Sequence, residues 1–263
     1  MQCEYQWRKI CGQYWNLVTL LSALLRSVSR LGLLGGERVL SLKKPWRKSY
    51  AQCGEDLIVE HVFDAIGIRK PSYIDIGAYH PYRLSNTALF YESGSRGINI
   101  EPDTMLYKRF KAARKEDINL NIGIADVEGE ASLYKMTVPT LNTLSAEEAQ
   151  SIATESSYKV KAIDKIQVRR LCSVLDQYAD GRFPDFLSLD AEGLDFRIIR
   201  SICFEDCAPI VICIETLSFS EQGQGRKDQD LITYIESKGY MVYADTHINT
   251  IFVRKTDWLC RVD

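Results

Sequence analysis

One stretch constrains the fold of this chain more than any other. Tyr73 to Pro102 reads YIDIGAYHPYRLSNTALFYESGSRGINIEP. A short apolar run, Tyr73, Ile74 and Ile76, is interrupted by Asp75 and ends at Gly77. A helix-like segment follows from about Ser85 to Ser93, and Gly97 opens a second apolar run, Ile98 to Ile100, that ends on Glu101. Strand, glycine turn, helix, strand, acid is the order by which a parallel sheet holds a nucleotide-type ligand at its carboxyl edge. The glycine lets backbone approach the ligand, and the acid can accept hydrogen bonds from two ribose hydroxyls.

The turn also narrows the ligand. A pyrophosphate wants G-x-G-x-x-G at a helix N-terminus. Here Ala78, Tyr79, His80 and Pro81 follow the single Gly77. That pattern argues against a nicotinamide-dependent oxidoreductase and for a nucleoside without phosphates. S-adenosylmethionine is the common one, with a ribose for Glu101 and an amino-acid end for the Gly77 turn.

Further strands and helices alternate along the chain. Gln52 to Phe63 reads as a helix closed by Gly67 and Pro71. Asp103 can cap a helix running to about Arg114. Strands are expected at Ile118–Ile122, Ala131–Met136, Ile166–Val168, Phe186–Asp190 and Ile210–Ile214, and helices at Leu171–Tyr178, Asp195–Ile202 and Leu231–Ser237. Tyr240–Tyr243 and Thr250–Val253 close the chain as a hairpin. Residues 137–163 break this rhythm with a Ser- and Thr-rich insertion, either a lid or acceptor-facing loop or a plain surface excursion. The pattern predicts an α/β sandwich, mostly parallel, with one antiparallel strand. Four strands end on acids, Asp75, Glu101, Asp190 and Glu215. Each alone could be a cap or a solvated strand end. Together with Gly77 and Gly193 they point to a functional cleft at the carboxyl edge.

Residues 1–48 form an appendage to a domain spanning 49–263. Tyr14, Leu17, Val18, Leu21, Leu24, Leu25, Val28 and Leu31 make an apolar helical stripe flanked by Arg8, Lys9, Arg26 and Arg30. Gln13, Asn16, Thr19 and Ser22 interrupt it, which argues against a transmembrane span or signal peptide. Two expectations remain: a helix packed on the domain or on a second subunit, or a basic amphipathic helix lying on a membrane surface. The net charge of −2 offers no electrostatic case for nucleic acid. The eight cysteines contain no C-x-x-C and no partner histidine pattern for zinc, so they read as reduced thiols in a cytoplasmic protein, one that the 1–48 helix could bring to the membrane's cytoplasmic face.

These residues carry a family resemblance. AQCGEDLIVEHVF at 51, the stretch at 73 just described, INLNIGIAD at 118, FPDFLSLDAEGLDFRIIRSI at 183, PIVICIE at 209 and INTIFV at 248 occur in order. The chain resembles the FkbM-type S-adenosylmethionine-dependent methyltransferases. That resemblance implies the class I methyltransferase fold, a Rossmann-like three-layer sandwich with a C-terminal antiparallel hairpin, and methyl transfer to hydroxyl oxygens of sugars in polysaccharides, glycolipids or glycosylated metabolites. It implies that Asp75, Gly77 and Ala78 line the methionine end, that Glu101 holds the ribose, that Asn121 and Gly123 lie beside the adenine, and that Asp190 sits near the methyl group with Glu192 and Gly193 shaping its turn. Tyr79 stands where a second glycine often occurs, and residues 1–48 have no counterpart.

Methyl transfer to a sugar hydroxyl asks for in-line alignment and a base. Asp190, Glu192 and His80 are the candidates. His80 could equally be a loop residue bonding a backbone carbonyl. Asp190, Glu192 and Glu215 could supply oxygen ligands to a divalent ion, but no metal is assigned. The competing expectation is an inactive nucleoside-binding relative that serves as an interaction protein.

Overall fold

The β-strands of this chain settle into one large twisted sheet because their apolar residues alternate between two covered faces. The computed structural model describes residues 46–205, 207–221 and 225–261. The apolar stripe expected within residues 1–48 lies outside them. Seven strands take the order β3-β2-β1-β7-β8-β10-β9. They are β1 (Tyr73–Ile76), β2 (Gly97–Ile100), β3 (Ile118–Leu120), β7 (Phe186–Leu189), β8 (Val211–Glu215), β9 (Tyr240–Asp245) and β10 (Asn249–Arg254). Only β10 runs against its neighbours. The chain passes from β1 outward to β2 and β3, then returns to place β7 on the other side of β1. The sheet therefore has its topological switch point between β1 and β7, where open α/β sheets bind ligands.

The two faces differ in what they bury. On one, Ile74, Ile76, Ile98, Ile100, Leu187, Leu189, Ile212 and Ile214 pack against α5 (Leu171–Tyr178), α6 (Asp195–Arg200) and α7 (Gln229–Ser237). On the other, Tyr73, Phe186, Val211, Ile251 and Val253 pack against Val59, Val62 and Phe63 of α1 (Glu55–Ile66) and Phe90 of α2 (Ala88–Glu92). Residues two apart share a face, so Asp75, Ser188 and Cys213 continue the second set. The strand register aligns them in one row with Asn99 and Asn119.

Local chemistry sets the element ends. Gly67 adopts φ 88° and its N–H bonds back to Asp64 and Phe63, closing α1. Asp103 caps α3 (Thr104–Ala113) by accepting from the Met105 and Leu106 amides at 2.7 and 3.4 Å. Glu55, at the start of α1, is buried and accepts from Thr246 and Asn249, which ties this helix to the closing hairpin.

Several boundaries differ from the sequence expectation. The helix after the glycine turn is only Ala88–Glu92, because residues 81–87 form a polar loop. Asp75 lies inside β1 rather than at its end. The expected third strand stops at Leu120, and Gly123–Ile124 form β4 of a second, three-stranded sheet with β5 (Gly129–Met136) and β6 (Val160–Arg169) in the order β4-β6-β5. β6 is ten residues long, far beyond the expected Ile166–Val168. Its alternation is invisible because most of it is exposed. The insertion holds α4 (Ala146–Glu155), and α8 (Lys255–Leu259) follows β10. No helix among the described residues is long and apolar enough to cross a membrane, and no disulfide joins the described cysteines.

Candidate active site

A cavity of about 430 Å³ opens at the switch point, within the range of small-molecule sites. Its floor is the meeting of two turns. Gly77 follows β1 with φ 75°, and a Cβ there would stand 1.8 Å from the Asp190 carbonyl oxygen. The glycine is required first by the turn after β7, which also ties to β1 through Asp190 N–H to the Ile76 carbonyl at 3.0 Å. Tyr79 adopts φ 54°, the left-handed conformation that glycine favours. The loop thus keeps a glycine-like shape without a glycine there, at a backbone cost of roughly 1–3 kcal/mol.

Glu101 marks the second wall. It is buried at the end of β2, accepting the Tyr79 amide at 2.8 Å and the Asp103 amide at 2.7 Å. Each carboxylate oxygen carries a further lone pair facing the cavity region that Glu101 lines. Burial pushes its carboxyl up to about 7, against the pull of those two amides.

The third wall is a cluster of carboxyls. Asp190, Glu192 and Glu215 bring oxygens within 4.8 Å of one another, a set able to hold a divalent cation. Asp190 shows surface to the cavity yet is otherwise enclosed by protein. Burial raises all three carboxyls, followed by repulsion from Asp195 on Asp190 and from Asp190 on Glu192 and Glu215. The hydrogen bond between Asp190 and Glu215 lowers the first and raises the second. Glu192 sits at φ 43°, strained for a residue with a side chain. Its carbonyl accepts from the Thr143 hydroxyl at 2.6 Å, which ties the turn to the insertion.

The insertion supplies Pro139, Thr140, Leu141, Asn142 and Leu144 to the cavity, and the segment after β8 supplies Leu217, Ser218, Phe219 and Ser220. Among the described residues no lysine or arginine lines the site, against five carboxyls, Asp75, Glu101, Asp190, Glu192 and Glu215.

The structure brings together most of the residues expected from sequence. Asp75, Gly77, Ala78, Glu101, Gly123, Asp190 and Glu192 all line this one cavity. Two do not. Asn121 is turned away, its amide donating to the Glu101 and Pro102 carbonyls at 2.9 Å while its carbonyl accepts from Thr104. His80 stands off the wall, its Nδ1 accepting the Tyr82 amide at 3.1 Å. Burial and then Arg109, Arg83 and Arg114 lower its imidazole. Sequence reasoning passed over Asn86, Ser188, Gln52 and His247, which also line the cavity. Ser188 carried a signal, since it is the one polar residue inside the strand FLSL. Asn86 carried none, because its place depends on the loop shape.

The FkbM methyltransferase domain matches residues 75–242. No curated protein matches. Among solved structures, the Burkholderia thailandensis 1,6-didemethyltoxoflavin-N1-methyltransferase, with bound 1,6-didemethyltoxoflavin and S-adenosylhomocysteine, aligns at 10% identity over 82% of this chain and 96% of that one, with a TM-score of 0.32. At that score the two backbones diverge too far for residues to be paired between them. The cavity itself fits the family's methyl donor: an acid that can take a ribose at the end of β2, a glycine turn at the end of β1, and an anionic wall beside a sulfonium.

Proposed function

Because the chain belongs to the FkbM methyltransferase family and takes S-adenosylmethionine as its methyl donor, we propose that it methylates a hydroxyl oxygen of an uncharged sugar, in a polysaccharide, glycolipid or glycosylated metabolite. The observation that carries this reading is the carboxyl cluster of Asp190, Glu192 and Glu215 in a cavity that, among the described residues, no lysine or arginine lines. Such a wall offers no cation to a phosphate or carboxylate and presents carboxyl oxygens to the hydrogens of neutral hydroxyls. Leu141, Leu144, Leu217 and Phe219 at the rim suit the apolar face of a sugar ring or an attached lipid or aglycone.

Bound S-adenosylmethionine supplies an electrophilic methyl on a sulfonium. The protein must place an acceptor oxygen in line with it and remove a proton. Asp190 is the base of choice, since it stands in the carboxyl cluster at the switch point and its hydrogen bond with Glu215 draws its carboxyl down. Glu192, whose carboxyl is raised by burial and then by Asp190, is suited to orienting the acceptor through a hydrogen bond. His80 has no place in this reading, because it lies off the cavity wall. Peripheral contact of residues 1–48 with a membrane, at its cytoplasmic face, would bring the enzyme to a lipid-linked acceptor.

The test is incubation of the protein with methyl-labelled S-adenosylmethionine and a neutral glycan extract, followed by mass spectrometry of permethylation-sensitive positions. Label in a sugar methyl ether supports the proposal. Label only on nitrogen or carbon, or only in anionic sugars, contradicts it. A protein that binds the donor and transfers nothing to any extract would be the inactive relative.

A further inference from the structure

Arg114, the C-cap of α3, is wholly buried. A guanidinium is costly there unless its donors and its charge are all matched. All five N–H donors have acceptors. Nε and Nη2 both donate to the Pro81 carbonyl, at 3.0 and 2.5 Å. Nη2 also reaches the Ser85 hydroxyl at 2.8 Å, and Nη1 reaches the Thr87 hydroxyl at 2.8 Å and the Asn99 carbonyl at 3.2 Å. The Asp117 carboxylate stands 4.0 Å from Nη1.

Arg114 does not line the cavity, yet three of its partners lie in the loop that does. The loop from Gly77 to Thr87 carries Gly77, Ala78, Tyr79, Leu84 and Asn86 into the wall. Thr87 passes the contact on, its hydroxyl donating to Asp75 Oδ2 at 2.6 Å. We propose that Arg114 is a positioning residue for methyl-donor binding: it pins the Gly77–Thr87 loop through Pro81, Ser85 and Thr87, and through Thr87 orients Asp75 as a carboxylate at the switch point. The Thr87 hydroxyl and the Arg114 charge both oppose the rise that burial imposes on the Asp75 carboxyl.

A purely space-filling role is poorly served by this residue, since buried ionic groups are often replaced by apolar ones without loss of stability. What an apolar side chain cannot do is hold one carbonyl, two hydroxyls and an amide from the loop and from β2 in one fixed fan. The loop's own backbone needs such holding. Tyr79 and Leu84 both have positive φ, 54° and 53°, so the loop does not favour this shape by itself.

This inference rests on the reading of the cavity as the S-adenosylmethionine site. The test is calorimetric titration of S-adenosylhomocysteine into the full-length wild-type protein and into Arg114→Lys, Thr87→Val and Val174→Ala. Val174 is buried in α5 and lines no part of the cavity. Arg114→Lys keeps the charge and loses the fan; Thr87→Val keeps the shape and loses the relay. Each is expected to weaken binding by about tenfold or more, as for loss of hydrogen bonds to charged groups. Val174→Ala is expected to lower Tm and leave Kd within about twofold, because cavity creation acts on stability alone. A folded Arg114→Lys or Thr87→Val with wild-type Kd overturns the proposal, as does a Val174→Ala that weakens binding in step with its loss of Tm. If Arg114→Lys does not fold, Thr87→Val decides. A wild-type protein that binds no S-adenosylhomocysteine overturns instead the cofactor reading beneath it.

Discussion

The two faces of the large sheet use the same strands for different ends. The face under α5, α6 and α7 is apolar across β1, β2, β7 and β8, with Ile74, Leu187 and Ile212 wholly buried in adjacent strands. The face under α1 and α2 begins apolar at Tyr73, Phe186 and Val211, then turns polar one step nearer the carboxyl edge, at Asn99, Asp75 and Ser188. Both are buried. The first gains its stability from area removed from water, which tolerates exchange of one hydrophobe for another of like volume. The second depends on directed bonds, Thr87 to Asp75, Asn86 to Ser188 and Tyr73 to Asp117, where one missing partner leaves a buried polar group exposed to no solvent. A single sheet can thus carry a stable core on one side and a positioned site on the other.

The sharpest break of that comparison is chemical. Asp190→Asn removes the proposed base at the polar edge and keeps its size. Turnover on the true acceptor should fall about 100- to 10,000-fold, with S-adenosylhomocysteine affinity changed little. Equal losses in both would make Asp190 a binding group only.

Neighbouring residues on opposite faces give the next test. Leu187→Ala should cost about 2–5 kcal/mol of unfolding free energy and leave S-adenosylhomocysteine affinity unaltered. Ser188→Ala should cost about 0.5–1.5 kcal/mol and change the affinity several-fold. Denaturant melts and calorimetry on both variants read the two quantities separately. If Leu187→Ala weakens binding as much as Ser188→Ala does, the faces are not divided in this way.

Acidity yields the smallest effect. Burial raises Glu101 from its ordinary 4.5 to about 7 and Asp195 from 3.8 to about 6. Between those values the native protein holds more protons than the unfolded chain, so stability falls with rising pH. The contribution is fully present below pH 4.5 for Glu101 and below 3.8 for Asp195, and is lost as pH rises through about 7 and about 6. Ribose hydroxyls donate to the ionised form, so ligand affinity should rise over the upper part of the same interval. A Tm of the ligand-free protein that climbs from pH 5 to pH 7.5 would contradict this assignment, as would an affinity that declines.

The apolar face is the half that the sequence makes plain. Leu171–Tyr178 is a helix over the residues that periodicity picks out, and VICIE and FLSL are strands whose near-continuous apolar runs mark burial on both faces. Asp103 announces its cap by type and place. The acids Glu101, Asp190 and Glu215 converge because strand ends do, once the sheet order is known. What lay beyond reach depends on three-dimensional routing. Arg114 reads as one more charge in KAARKED, and only the fold reveals that it is buried with four acceptors for its five donors. His80 reads as a base because it follows the glycine turn, and the loop's positive-φ residues turn it off the wall. β6 hides because an exposed strand has no apolar alternation to display. The wall from Pro139 to Leu144 depends on a long-range bridge, Tyr134 with Thr143, that no local pattern encodes.

The central claim is that the cavity between β1 and β7 holds S-adenosylmethionine with its ribose on Glu101. Calorimetric titration of S-adenosylhomocysteine into wild type and Glu101→Ala tests it directly. Wild type should bind with one site per chain, and the variant should remain folded and lose about 1.5–3 kcal/mol of binding free energy, the value of hydrogen bonds to a charged group. A folded Glu101→Ala that binds as tightly as wild type would contradict the claim.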